Sequence, residues 1–257
     1  MPPTIARMTE LRFHEMPDGR QIAHRFTPGL GPTIVFLPGY MSDMTGSKAA
    51  ALFDMAVASG RACMLLDYSG CGQSPGAFED GTLSRWRDEV IALIEAANLR
   101  DVLLVGSSMG GWLMLMVAEK LGDRVKGMVG VAAAPDFTEW GIAQMDKNVL
   151  ADGETIWEDN PYGPEPTPTH PGFWADGQAN LMLDKGIPFD GPVRLLHGQR
   201  DDDVPWEIAV RLAEKLRSSE VQVTLIKDGD HRLSRDADIH LLLRSVAELV
   251  LARTPAA

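Results

Sequence analysis

The residues of this chain best suited to chemistry are Ser108, His231 and one aspartate of the run at 201–203, in that chain order. A serine hydroxyl becomes a nucleophile when a base within hydrogen-bond reach takes its proton, and the base works best when a carboxylate orients it. Ser108 is the centre of Gly106-Ser-Ser-Met-Gly110. Gly-x-Ser-x-Gly serves at a sharp corner between a strand and a helix, where the residues two positions away must be small to let the two elements approach. Ser107 does not qualify, because Met109 stands where the second small residue belongs. With 25 glycines in 257 residues, such a pattern arises by chance in roughly one chain in ten. The partners therefore decide.

His231 follows Gly229 in a loop after an apolar run, where a base can reach across to a serine. The other histidines have plainer settings: His14 and His24 in a candidate hairpin, His170 in a proline-rich span, His240 within a helical pattern. His197 ends a strand and is expected to hold its loop by hydrogen bonding. The residues Asp201, Asp202 and Asp203 follow another apolar run, so each is a candidate acid. A cation site there would need further spaced oxygen ligands. Two N–H groups must face the developing oxyanion. Met109, at a helix start, suits one, and Tyr40, in the turn after a strand, the other.

These residues need a scaffold that brings strand ends together. Residues 102–105 read as a buried strand, and from Met109 the apolar spacing turns helical through Trp112, Leu113, Met116 and Val117. Further strands are expected at 33–37, 63–66, 128–132, 192–196 and 221–226, with helices at 47–59, 82–97, 206–216 and 237–251. Strands at 11–16 and 21–26 flank Pro17-Asp-Gly19 and predict an antiparallel entry hairpin. Alternating strand and helix predicts an α/β fold with a parallel, doubly wound sheet, whose ligands bind beyond the carboxyl ends of the strands. The rhythm breaks between Pro135 and Gly191, where Pro161, Pro164, Pro166, Pro168 and Pro171 crowd together. That span reads as a small insertion, about 135–191, within a single domain of 1–257.

Composition bounds the rest. A formal charge of −12 argues against nucleic acid and anionic membranes as partners. No apolar run approaches a membrane span. Two cysteines make no disulfide framework or metal motif; Cys63 reads as core and Cys71, in a loop, as a candidate reactive thiol. The start Met-Pro-Pro-Thr-Ile-Ala-Arg lacks a secretory core or an extended transit pattern, so a cytoplasmic location is expected.

Together, Leu37-Pro-Gly-Tyr-Met41, Asp67-Tyr-Ser-Gly-Cys-Gly-Gln-Ser74, Gly106-Ser-Ser-Met-Gly-Gly-Trp112, Arg194-Leu-Leu-His-Gly198, Val204-Pro-Trp206 and Asp230-His-Arg232 resemble the α/β-hydrolase superfamily. Within it they are most similar to the mitochondrial abhydrolase-domain enzymes that cleave palmitoyl thioesters and acyl glucuronides. The likeness runs from about Thr33 to the C-terminus, with a break at the insertion. It implies a serine hydrolase of carboxylic esters or thioesters that uses no cofactor and no metal. Its pattern His-Gly-x-x-Asp-x-x-Val-Pro places the acid at Asp201, leaving Asp202 and Asp203 as solvated loop or helix-start residues. The substrate would be a small ester or thioester, or an S-acylated protein. Aminopeptidases and carbon–carbon bond hydrolases share such a triad, and a hydrolase-fold binding protein without turnover is the alternative of another class. The insertion is expected to cap the site, with Trp140, Trp157 and Trp174 contacting substrate and Met145, Phe173 and Met182 adding apolar surface. Turnover should then depend on acyl length.

Overall fold

The computed structural model describes residues 10–160 and 163–252. The amino-terminal stretch read for targeting signals, and Pro161, lie outside the described residues.

The expected hairpin is present: β1 (Arg12–Glu15) pairs antiparallel with β2 (Gln21–Thr27) across the Pro17-Asp-Gly19 turn. β3 (Leu30–Leu37), α1 (Ser47–Ser59), β4 (Arg61–Leu66), α2 (Leu83–Ala96), β5 (Val102–Ser107), α3 (Met109–Leu121) and β6 (Val125–Val131) then alternate. β3 and β6 each begin three residues before the apolar signal does. Leu30 joins the ladder opposite Arg61 and Val125 opposite Val102, so backbone pairing extends these strands past their apolar cores. α2 starts where expected because the Thr82 side chain accepts the Arg85 N–H. Its apolar face, Leu83, Trp86, Val90 and Ile94, is fully buried.

Between β6 and the next long strand lie α4 (Phe137–Trp140), α5 (Gln144–Ala151), β7 (Ile156–Glu158), β8 (Thr167–Thr169) and α6 (Pro171–Ala179). β7 and β8 form a separate antiparallel pair that the proline spacing concealed; Pro168 is tolerated in so short a two-stranded ladder. The chain finishes with β9 (Val193–Gly198), α7 (Glu207–Lys215), β10 (Val221–Ile226) and α8 (Asp236–Ala252).

Among the described residues the main sheet has eight strands in the order β1-β2-β4-β3-β5-β6-β9-β10, parallel from β4 onward and antiparallel at its start. One face carries α2, α3 and α7 over Trp86, Trp112 and Leu212; the other carries α1 and α8 over Leu52, Leu242 and Val246. Each such side chain, fully removed from water, contributes about 1.5–3 kcal/mol. This two-sided core fixes the carboxyl ends of β3, β5, β6, β9 and β10 relative to one another, and the chemistry-bearing turns all leave from those ends.

Candidate active site

Ser108 sits at the corner between β5 and α3 with φ 55° and ψ −122°, a strained conformation for a residue with a side chain. Packing holds it there. Its N–H donates to Val131 O at 2.9 Å, and its own carbonyl accepts from Gly111 N–H at 2.8 Å and Ala134 N–H at 3.0 Å. The two flanking glycines are steric necessities. A Cβ on Gly106 would lie 2.3 Å from Gly110 O, and one on Gly110 would lie 2.0 Å from Leu37 O. The Ser108 hydroxyl therefore stands clear of the sheet while its backbone is locked.

The structure brings His231 and Asp201 to this hydroxyl. Ser108 Oγ is 3.0 Å from His231 Nε2, and His231 Nδ1 is 2.9 Å from Asp201 Oδ2. Asp201 Oδ1 accepts the Asp203 and Val204 N–H groups at 3.0 and 2.8 Å, which folds the aspartate-rich loop around the buried carboxylate. Burial works to raise the Asp201 carboxyl. Hydrogen bonds from His197 and His231, the charge of His231 and the Val204 N–H outweigh it and hold the group well below the usual carboxylate range.

His197 does hold its loop, through Nε2 to Val204 O at 2.9 Å, and the same nitrogen lies 3.2 Å from Asp201 Oδ2. The acid thus has a histidine on each side. Lys48 escaped the sequence reading. It lies near the start of α1, lines the cavity at Ser108, and donates through Nζ to the carbonyl of Arg232, the residue after His231. Burial, then the nearby Arg232 charge, pushes its amine down to about 8. The signal for it was an unfavourable one: a cation in the first turn of a helix, where the macrodipole repels it.

A cavity of about 520 Å³ opens over Ser108 and His231. Tyr40 and Met109 both line it, as do Phe137, Glu158 and Asp203. Met109, as the first residue of α3, has an N–H without an intrahelical acceptor. The Tyr40 hydroxyl donates to Pro168 O at 2.9 Å, tying the turn after β3 to β8; burial raises this phenol far above its ordinary range.

Trp140, Trp157 and Trp174 are not brought to the cavity. Trp140 Nε1 donates to Pro135 O at 2.7 Å, Trp157 is 62% exposed, and Trp174 packs on Ile142, Leu150 and Ile156. Trp140 packs against the main core cluster, Trp174 against the segment's own small cluster, and Trp157 turns to solvent. Phe137, which the sequence reading did not single out, is the aromatic residue among this segment's described residues that lines the cavity. Met145 is 75% exposed, whereas Phe173 and Met182 are core.

Cys71, expected as a candidate reactive thiol, is buried with its thiol pushed up to about 12, chiefly by burial and further by Asp67 and Glu89. Its loop folds back onto the sheet, so the thiolate is suppressed. Cys63 is core, as expected. One group among the described residues has metal-ligand proximity: Asp201, Asp203 and His231 offer atoms within 4.8 Å of one another. Two of these already bond each other, and a cation on His231 Nε2 would displace its contact with Ser108.

Residues 32–149 match the α/β hydrolase fold family model. Human palmitoyl-protein thioesterase ABHD10, mitochondrial, is 35% identical, with 96% of this chain and 82% of that protein covered. This chain belongs to the α/β-hydrolase family. The solved structure of mouse α/β hydrolase domain-containing protein 10 superposes with a TM-score of 0.88 at 32% identity, covering 95% of this hydrolase and 99% of the mouse chain. Est1E from Butyrivibrio proteoclasticus, in a structure with ferulic acid bound, is 20% identical with a TM-score of 0.79 over 94% of this chain and 98% of its own, and shares the fold. The chain is thus an enzyme of the α/β-hydrolase type. The expectation of a cytoplasmic location is corrected: the human, orangutan and bovine relatives are all named mitochondrial, which points away from the cytoplasm. No helix among the described residues is long and apolar enough to cross a membrane.

Proposed function

We propose that this α/β-hydrolase is a serine hydrolase of carboxylic esters or thioesters, with Ser108 as nucleophile, His231 as base and Asp201 as orienting acid. The observation that carries the reading is the continuous chain Ser108 Oγ–His231 Nε2, 3.0 Å, and His231 Nδ1–Asp201 Oδ2, 2.9 Å, inside one cavity. Ser108 Oγ attacks the acyl carbon as its proton passes to His231 Nε2. Asp201 steadies the imidazolium so formed. The N–H groups of Tyr40 and Met109 receive the negative charge that develops on the carbonyl oxygen. His231 then gives its proton to the leaving alkoxide or thiolate, and a water, activated by the same imidazole, frees the acid from Ser108. A thiol, with an ordinary pKa near 8.5, leaves more readily than an alcohol, so one site of this kind serves both bonds.

The chain reads as one domain, with 135–191 as a cap over the carboxyl edge of the sheet. Support comes from Phe137, Glu158 and Thr167, which reach the cavity from that segment, and from the Tyr40–Pro168 hydrogen bond. The substrate is a small ester or thioester, or an S-acylated protein, the broader class to which the palmitoyl proteins in the ABHD10 relatives' name belong. The net charge of −12 disfavours nucleic acid as a partner. A panel of p-nitrophenyl esters, S-acyl thioesters, aminoacyl p-nitroanilides and a vinylogous β-diketone tests the reaction class, with Ser108→Ala as control. Hydrolysis of esters or thioesters, lost in Ser108→Ala, is expected. Turnover confined to the anilides or the diketone would move the assignment to a peptidase or a carbon–carbon hydrolase, and no turnover at all to a binding protein.

A further inference from the structure

The wall of the cavity is uneven. Its lining mixes charged residues, Asp43, Lys48, Asp203 and Arg232, with apolar ones, Pro38, Met109, Ala134 and Phe137. An acyl chain favours the apolar members of this lining, because each methylene gains about 0.8 kcal/mol on leaving water. Among them, Phe137 is backed by further rings. Ring centroids of Tyr40, Phe173 and Trp112 stand 6.1, 5.8 and 5.8 Å from it, and Phe173 and Trp112 are 1% and 0% exposed. Trp86 and Phe78 continue this aromatic layer beyond Tyr40 and Phe173. The space behind Phe137 is therefore already filled by rings, and the layer meets the cavity at Phe137 and Tyr40.

Its position is rigid. Ala134, three residues before it, donates its N–H to the Ser108 carbonyl at 3.0 Å. Asp136, immediately before it, takes φ 60°, and its buried carboxylate accepts the Met182 and Leu183 N–H groups at 2.8 and 2.7 Å. The ring is thus referenced to the nucleophile on one side and to the far end of the insertion on the other.

We propose that Phe137 is the end wall of the acyl site and sets the length of acyl group this enzyme accepts, restricting it to short chains. This rests on the ester and thioester hydrolase reading. Replacing the ring opens the aromatic layer behind it, and the acyl preference moves to longer chains. Each additional methylene accommodated is worth about fourfold in kcat/KM. Room for two gives a rise on the order of tenfold in the octanoyl-to-acetyl ratio.

The test is a p-nitrophenyl ester series from acetyl to palmitoyl, run with wild type, Phe137→Ala, Phe137→Leu and, as a control, Met145→Ala on the outer face of the insertion. Wild type is expected to peak at short acyl groups. Phe137→Ala should move the peak by two carbons or more, Phe137→Leu by less, and Met145→Ala not at all. Should Phe137→Ala fail to fold, the smaller shift in Phe137→Leu decides the matter. A wild-type optimum at palmitoyl, an unshifted profile in a Phe137 variant that still hydrolyses esters, or an equal shift in Met145→Ala would overturn the proposal. Absence of ester and thioester turnover in wild type would instead strike the reading beneath it, and fluorophosphonate labelling of Ser108 tells the two failures apart.

Discussion

Asp201→Asn separates the chemistry of the acid from its part in the fold. Asp201 Oδ1 accepts the N–H groups of Asp203 and Val204, while Oδ2 faces His231 Nδ1 at 2.9 Å and His197 Nε2 at 3.2 Å. Asparagine can keep the first pair of bonds through its carbonyl. Its amide then presents donors to two ring nitrogens that are themselves donating in the working arrangement. His231 resolves the conflict by moving its proton to Nε2, and in that tautomer it cannot accept the proton of Ser108. The same replacement in another serine hydrolase lowers turnover ~10⁴-fold, which is about 5 kcal/mol of transition-state stabilisation. The loss to folding is one charged hydrogen bond, about 1.5–3 kcal/mol, or several degrees in Tm for a domain of this size. The assay is kcat on a short p-nitrophenyl ester beside a thermal melt. A fall in kcat of tenfold or less in a folded Asp201→Asn protein would refute the tautomer argument.

Asp202→Asn, in the exposed loop, should leave kcat within a few-fold of wild type, and Asp203→Asn should be mild beside Asp201→Asn; a crippled Asp202→Asn would show that the loop register is misassigned. Turnover should fall on acidification, because a protonated imidazole no longer accepts the serine proton. Asp201, held below the carboxylate range, stays ionised at mildly acidic pH and adds no second step; a rate that does not fall on acidification would point to another base. Iodoacetamide at pH 8 should leave Cys71 unmodified until the protein is unfolded, since burial pushes its thiol up to about 12; rapid native-state alkylation would contradict that burial.

The parts of this molecule legible in its sequence are those governed by local rules. Apolar runs and helical spacing located every strand of the parallel sheet, and the Gly106–Gly110 spacing singled out Ser108 because the steric demand acts within five residues. Asp201 was separable from Asp202 and Asp203 only through a family pattern, because the three aspartates look alike until the loop wraps one of them between His197 and His231. The 135–191 segment resisted for a different reason. In β7 successive side chains point to opposite faces, so Trp157 turns outward while its neighbour Glu158 lines the cavity, and nothing in the sequence says which face is inner. Phe137 lies on a four-residue helix with no period to read. Its place depends on Asp136 reaching Met182 and Leu183, some 46 residues away. Cys71 was misplaced similarly: loop composition does not disclose that a loop folds back into the core.

The central claim is that Ser108 is the activated nucleophile. A fluorophosphonate forms a covalent adduct only with a serine whose proton has a base to go to. The direct measurement is therefore mass-spectrometric mapping of that adduct in wild type, Ser108→Ala and His231→Ala, with ester turnover followed in parallel. The adduct should lie on Ser108, vanish in Ser108→Ala, and drop to trace levels in His231→Ala. Turnover should be lost with it, by ~10⁶-fold if this enzyme behaves as a serine hydrolase whose nucleophile has been removed elsewhere. An adduct on Ser107, or undiminished turnover in Ser108→Ala, would contradict the account.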